Sequence, residues 1–493
     1  MAKRNGPVVL QVLPSLQTGG AERGCVDIAV AVMEAGGTAF VASSGGDMVR
    51  DLDRVGARHF KMPVHSKNPL RMWLNSRRLI KIIREFDVQI VHARSRAPAW
   101  SCRAACLKTG AHFITTFHGT YNINSGLKRR YNAIMTKGVR VIAISRFIAD
   151  HIKAEYKIDP ARLRIIHRGI DIEQLEPAAV PAARIVSLAE QWRLPDDIPV
   201  ILMPGRLTRW KGQSVLIEAL AALRELKVRC LFVGDDQGRT GYRQELMGLV
   251  KSRGLESIVH FVGHCNDMAA AYMLADVVIS ASTDPEGFGR VMAEGQALGK
   301  PVIAADHGAS NELIIHGETG WLVPPGDPLA LAAALRVALA LNTNQREELA
   351  EKAISHVREK FTRAQMCKST LDVYEEILSE SVSTATALEE SPASATIREG
   401  SDMRPAPSQP QANSPDSGPM TWIPRDRRIS RFLWVAEWVH MFTFIAGATN
   451  VWARVARSTA VTRSSAKPVA ILARRSAVAG ATMIRSAQSA SRI

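Results

Sequence analysis

Residues 275–282 read Ala-Asp-Val-Val-Ile-Ser-Ala-Ser, and the chain then meets Asp284, Pro285, Glu286, Gly287, Phe288, Gly289 and Arg290. A short, continuous apolar and β-branched run of this kind is the pattern of a strand buried on both faces of a parallel sheet, and its small polar end reads as the exit loop. From Met292 to Leu298 the chain continues as a helix that Gly299 stops, and Pro301 opens the next apolar run. A strand-loop-helix-strand unit must cover its sheet with helices, which commits the region to an α/β architecture. In such a unit the N–H groups of Gly287, Phe288, Gly289 and Arg290 point out of the helix N-terminus, where they can hold an anion, and the glycines let a ligand come close. Glu286 falls at the mouth of the loop, while Glu294 lies about two turns into the helix.

The rest of the chain up to about residue 330 repeats this alternation. Strands are expected at 8–14, 38–42, 59–62, 89–92, 112–117, 139–144 and 164–167, then at 199–204, 230–233, 260–263 and 301–305, with helices between them. His118 follows the run ending at Phe117, at the carboxyl edge where open parallel sheets bind ligands. Gly19 and Gly20 sit in a glycine-containing loop after the first strand. The segment 19–24 lacks G-x-G-x-x-G, and no well-placed acidic residue follows the second strand, which argues against a nicotinamide cofactor. Arg206 and Lys211 share a loop before a helix, where a guanidinium fork and an ammonium charge suit a diphosphate. Basic clusters also occur at Arg71, Arg77, Arg78, Lys81 and Arg84, and at Arg94, Arg96, Lys128, Arg129 and Arg130. A solvated face is one reading of them, and an anionic acceptor or membrane surface is the other.

Glu286 and Glu294 with Gly-Phe-Gly between them, then Gly299-Lys300-Pro301-Val302-Ile303-Ala304 and the stretch from Gly317 to Asp327, resemble the signature of the retaining glycosyltransferases of family 4 (glycosyl transferases group 1). The resemblance covers roughly residues 8 to 380. It implies the GT-B fold, two Rossmann-like doubly wound parallel-sheet domains facing a central cleft. It also implies sugar transfer from a nucleotide-sugar, UDP- or GDP-linked, to a hydroxyl acceptor, with no required cofactor or metal. Carried over residue by residue, Arg206 and Lys211 match the Gly-Arg-Leu…Lys-Gly donor motif, Gly19 and Gly20 the glycine loop facing the diphosphate, and His118 a contact to the transferred sugar. Glu286 would hold that sugar, Gly287, Phe288, Gly289 and Arg290 would border the diphosphate, and Glu294 would bind the ribose. The mix of Phe-His-Gly-Thr-Tyr, Ile-His-Arg-Gly-Ile-Asp and Asp-Pro-Glu-Gly-Phe-Gly-Arg looks most like enzymes of bacterial lipopolysaccharide core or surface-glycan assembly, with a glycan or lipid-linked acceptor. Another GT-B enzyme, such as a nucleotide-sugar epimerase, and a nonenzymatic membrane adaptor are the alternatives.

The expected organisation is an acceptor-binding domain over 1–180, a nucleotide-sugar-binding domain over 190–360, a crossover helix at 361–381, a disordered linker at 382–420 and a basic tail at 421–493. From Thr421 onward there are 12 Lys and Arg against 2 Asp and Glu, so most of the formal charge of +16 belongs to the tail rather than to the α/β body. The segment 431–452 is rich in tryptophan and phenylalanine and flanked by arginines, but contains Glu437, His440 and Asn450. An interfacial helix on an anionic membrane suits it better than a spanning one. Six scattered cysteines without ligand spacing indicate reduced thiols rather than a metal site, and no partner nucleic acid is expected. Gln11, Pro14 and Gln17 interrupt the first apolar run, which therefore reads as a strand and not a secretion signal, so a cytoplasmic protein peripheral to the inner membrane face is expected.

Overall fold

The computed structural model describes residues 6–17, 19–238 and 240–389. The first half forms a seven-stranded parallel sheet from β1 (Val8–Val12), β2 (Thr38–Ser43), β3 (Arg58–Lys61), β4 (Ile90–Ala93), β5 (His112–Phe117), β6 (Arg140–Ala143) and β7 (Leu163–Ile165), in the order β3-β2-β1-β4-β5-β6-β7. The second half forms a six-stranded parallel sheet from β8 (Val200–Pro204), β9 (Arg229–Val233), β10 (Val259–Gly263), β11 (Val277–Ser280), β12 (Val302–Ala305) and β13 (Trp321–Val323), in the order β10-β9-β8-β11-β12-β13. Both are doubly wound α/β sheets, the architecture expected from the alternation of apolar runs.

The strands are apolar on both faces because helices cover both faces: β1, β8 and β11 are buried along their whole length. In each sheet the strand order reverses once, between β1 and β4 and between β8 and β11. At such a reversal the loops leaving the two strands diverge and open a crevice at the carboxyl ends. The loops after β1, β4, β8 and β11 are the ones that carry Gly19, Arg94, Lys211 and Glu286.

The segment 345–380, which the apolar spacing reads as one helix, is two helices, Thr343–Lys360 and Arg363–Glu389. Thr362 starts the second: its hydroxyl accepts from the Gln365 N–H at 3.1 Å, and its own N–H donates to Gln365 Oε1 at 3.2 Å, a reciprocal cap. At this break the chain crosses back to the first half, where Ile170 and Thr362 form a parallel bridge. Phe361 packs there between His167, His356 and Phe288, the last with ring centroids 5.8 Å apart, so the crossover touches the loop after β11 directly. The Arg363–Glu389 helix then lies on the first half, where the Tyr374 hydroxyl meets His92 Nδ1 at 2.8 Å and Glu376 pairs with Arg140 and Arg164. It runs into the stretch read as linker from 382, because alanine and leucine continue there and no proline or glycine precedes Pro392. The remainder of that linker and the 421–493 tail lie outside the described residues. Among the described residues no helix is long and apolar enough to cross a membrane.

Candidate functional site

The loop after β8 is fixed against the loop after β11. Gly212 adopts φ 77°, and a Cβ there would lie 1.8 Å from the Ala281 carbonyl oxygen, so only glycine lets the two loops approach this closely. The Thr283 N–H donates to the Trp210 carbonyl at 2.7 Å across the same contact. Lys211, at the end of the short turn Arg209–Lys211, is thereby aimed at Glu286: its Nζ lies 2.7 Å from Oε1, and each side chain is only 13% exposed.

The same Oε1 accepts from the hydroxyls of Ser282 at 2.5 Å and Ser280 at 3.4 Å. Burial alone would raise the Glu286 pKa, but the Lys211 charge and the hydrogen bonds from Lys211, Ser282 and Ser280 outweigh it and hold the carboxyl below its usual range. Glu286 is thus an ionised, oriented carboxylate, with Oε2 left over for a ligand hydroxyl.

Sequence reasoning gave Lys211 and Glu286 separate partners, the diphosphate and the sugar; the fold joins them into one ion pair. Arg206 is different. It is exposed at the rim and, among the described residues, its side chain reaches Gln237 at 3.5 Å, so the two members of the basic loop are not equivalent.

Beyond Glu286, Gly289 at φ 93° caps the helix Arg290–Ala297. Among the described residues the N–H groups of Gly287, Phe288 and Gly289 meet no protein acceptor. They form a row of donors at a helix start, an electropositive edge suited to phosphate oxygens. The Phe288 side chain turns away into the core. Glu294 is held by two groups, accepting from the Tyr272 hydroxyl at 2.8 Å and from Arg290 Nε at 3.0 Å.

The first half supplies the opposite wall. A Cβ on Gly287 would lie 3.0 Å from the His118 carbonyl oxygen, and one on Gly20 would lie 3.4 Å from Arg290 Cδ. His118, Gly20 and the Gly287–Arg290 turn therefore face one another across the crevice, with Gly19 as the residue before the helix Gly20–Glu34. Both ring nitrogens of His118 are buried without a hydrogen-bond partner. Burial, then the charges of Arg168 and Arg94, push its pKa well below the ordinary value and keep the ring neutral. A buried imidazole whose donor and acceptor are both free among the described residues can still give one hydrogen bond and take another.

The fold also brings in residues that spacing did not single out. Ser280 and Ser282 orient Glu286, and Tyr272 orients Glu294. His307, whose ring nitrogens are likewise buried and unpartnered, sits beside Gly308, where a Cβ would lie 2.5 Å from the Glu286 carbonyl. The small polar end of β11 was the available signal for the serines; Tyr272 and His307 carried none. Among the described residues no group of three or more His, Cys, Asp or Glu is placed to hold a metal ion.

Two family models match the chain: Glycosyltransferase Family 4 over residues 18–174 and Glycosyl transferases group 1 over residues 187–356. A crystal structure of a glycosyltransferase from Rickettsia africae is 38% identical, with a TM-score of 0.72, and is matched over 99% of its length and 76% of this chain. The chain belongs to the group 1, family 4 glycosyltransferases. As a family 4 glycosyltransferase it has the GT-B fold expected from the motif resemblance, and Anabaena HepE in complex with UDP and glucose shares that fold at 24% identity and a TM-score of 0.65, matched over 99% of that chain and 75% of this one. A curated relative, the D-inositol 3-phosphate glycosyltransferase of Xylanimonas cellulosilytica, is 35% identical over 48% of this chain and 56% of its own length. The match therefore spans little more than half of that glycosyltransferase.

Proposed function

We propose that the protein transfers a sugar from a nucleoside-diphosphate sugar to a hydroxyl of a glycan or lipid-linked acceptor, with retention at the anomeric carbon. The observation that carries this is a juxtaposition: Glu286, paired with Lys211, and the N–H groups of Gly287–Gly289, which meet no protein acceptor among the described residues, share one loop, and the His118 backbone lies directly across from it. Charge builds on the departing diphosphate, and Arg206, Lys211 and the three N–H groups stabilise it. Glu286 holds the transferred sugar through its hydroxyls, Glu294 the ribose, and Gly19, Gly20 and His118 close on the donor from the other side. The diphosphate leaves on the face where the acceptor enters and takes up the acceptor proton, so Glu286 need not act as a covalent nucleophile.

The UDP and glucose bound by HepE support a nucleotide-sugar donor, and the Phe-His-Gly-Thr-Tyr and Ile-His-Arg-Gly-Ile-Asp motifs support lipopolysaccharide or surface-glycan assembly. The name of the Xylanimonas relative supports an acceptor class that carries phosphate. Arg71, Arg77, Arg78, Lys81 and Arg84 are exposed on the helix Pro69–Glu85 together with Leu70 and Leu74. A basic face with apolar side chains is suited to an anionic membrane, which supports a reaction at the cytoplasmic face of a bilayer. The test is transfer onto detergent-solubilised lipid-linked and soluble acceptors, with the anomeric centre of the product read by NMR. A retained configuration is expected; an inverted product, or no product on any acceptor, contradicts the reading.

A further inference from the structure

Two buried arginines on the first-half wall of the crevice have no ion-pair partner among the described residues. Arg94, in the loop after β4, is 5% exposed; its Nε donates to Gln11 Oε1 at 2.7 Å, and its Nη2 is buried with no hydrogen-bond partner. Arg168, after β7, is 6% exposed and makes no ion pair among the described residues. Its guanidinium lies on the first turns of the helix Gly20–Glu34: a Cβ on Gly24 would lie 2.3 Å from Arg168 Nη1, and one on Gly20 would lie 3.6 Å from Nη2. Glycine at position 24 makes the space that the guanidinium occupies, and Gly20 lies beside it.

The carboxylates nearby are largely committed elsewhere. Asp27 pairs with Arg23, and Glu294 pairs with Arg290. Glu22 turns back toward Gly19, where one of its oxygens lies 2.2 Å from the Cβ position. Burial, then the like charges of Arg94 and Arg290, push the Arg168 pKa down to about 9, so the cation is held against its surroundings. Buried charges ordinarily have a partner, and for Arg168 the protein offers only the longer-range charges of Asp27 and Glu22.

We propose that Arg94 and Arg168 form an oxyanion site on the first-half wall, separate from Arg206 and Lys211, that takes a phosphate or carboxylate group of a bound substrate. The inference rests on the transferase reading of the crevice. The same chemistry serves two sources, an anionic group on the acceptor or the donor diphosphate seen from across the cleft. Arginine suits either, because its planar fork meets two oxygens at once.

The experiment is calorimetric titration of the full chain with inorganic phosphate, alone and with UDP or GDP at saturation, for wild type, Arg94→Gln, Arg168→Gln and Arg168→Lys. Wild type is expected to bind phosphate, both glutamine variants to weaken it about tenfold or more, and lysine to restore part of the loss. The melting temperature is expected to hold or rise in Arg168→Gln, since a crowded buried charge is removed, so loss of binding is distinguishable from loss of fold. Phosphate that still binds under saturating nucleotide assigns the site to the acceptor. Displacement by nucleotide, with a matching loss of nucleotide affinity in Arg168→Gln, assigns it to the donor; either result supports the site. No phosphate binding by wild type, or binding unchanged in both glutamine variants, overturns it. Lys211→Ala tests the underlying reading separately: if it leaves UDP and GDP affinity unchanged, the transferase reading fails whatever the arginines do.

Discussion

His92 and His118 are both buried near the carboxyl edge of the first sheet, and the protein uses them in opposite ways. His92 is fully satisfied, with Nδ1 at 2.8 Å from the Tyr374 hydroxyl and Nε2 at 2.7 Å from Thr116 Oγ1, so it ties the crossover helix to β5. The ring nitrogens of His118 have no partner among the described residues. Replacing His92 by alanine is therefore expected to cost about 2–4 kcal/mol in urea unfolding, because it opens a cavity and strips two buried partners. Replacing His118 by alanine is expected to cost about 1 kcal/mol or less while lowering transfer at least about tenfold. The reverse ranking in either measurement would contradict these roles. At this scale the sequence exposes what is close along the chain. Glu286, the Gly-Phe-Gly turn and Glu294 share one loop and helix, and their spacing carries the family resemblance. Arg168 was legible only as part of the Ile-His-Arg-Gly-Ile-Asp motif, because its neighbours Gly20, Gly24, Arg94 and Arg290 come from three distant segments.

Loops and helix ends hold the two halves together, and Glu312 shows how. This second-half carboxylate accepts the N–H groups of Arg146 and Phe147, each at 2.8 Å, at the start of the first-half helix Arg146–Glu155, and meets His167 Nε2 at 2.8 Å. It is a helix cap supplied from the other sheet, favourable because a carboxylate there satisfies free donors and the helix dipole together. Glu312→Ala is expected to lower stability by about 1–3 kcal/mol in thermal or urea unfolding and to change the approach of the halves, seen as a shifted small-angle scattering profile. An unchanged unfolding midpoint would show that the contact carries no weight. The strands were legible because each is a short apolar run set off by turn residues. The crossover helix was expected from 361, but the apolar spacing on either side of Phe361 continues one helical stripe, and the local signal for the break, Thr362 followed by Gln365, is a cap rather than a change in hydrophobicity. The partnership of Glu312 was not legible at all, since a carboxylate on a short turn gives no indication of which helix it will cap.

Across the whole molecule, buried histidines set the response to mild acid. Burial lowers the pKa of His92 and His118 well below the ordinary value of 6.5, and those of His59, His112, His151, His260 and His356 to a lesser degree. Below about pH 6.5 the unfolded chain takes up protons that the folded one refuses, so stability falls as pH falls from that point toward the folded values. The two fully buried rings, His92 and His118, dominate that loss, at up to about 1.4 kcal/mol per pH unit each, and solvent screening makes the half-exposed rings contribute less. Urea midpoints taken from about pH 7.5 down to about 5.5 are expected to drop, and to drop less steeply in His92→Asn; a flat profile in wild type would contradict the burial of neutral rings. The central claim is that one crevice, built where both strand orders reverse, holds and activates a nucleotide-sugar. The most direct measurement is consumption of UDP-, GDP- and ADP-sugars by wild type beside Lys211→Ala and Glu286→Ala. One donor consumed by wild type, with each variant slower by about two orders of magnitude, is the predicted result; no donor bound or consumed, or variants that match wild type, would contradict it.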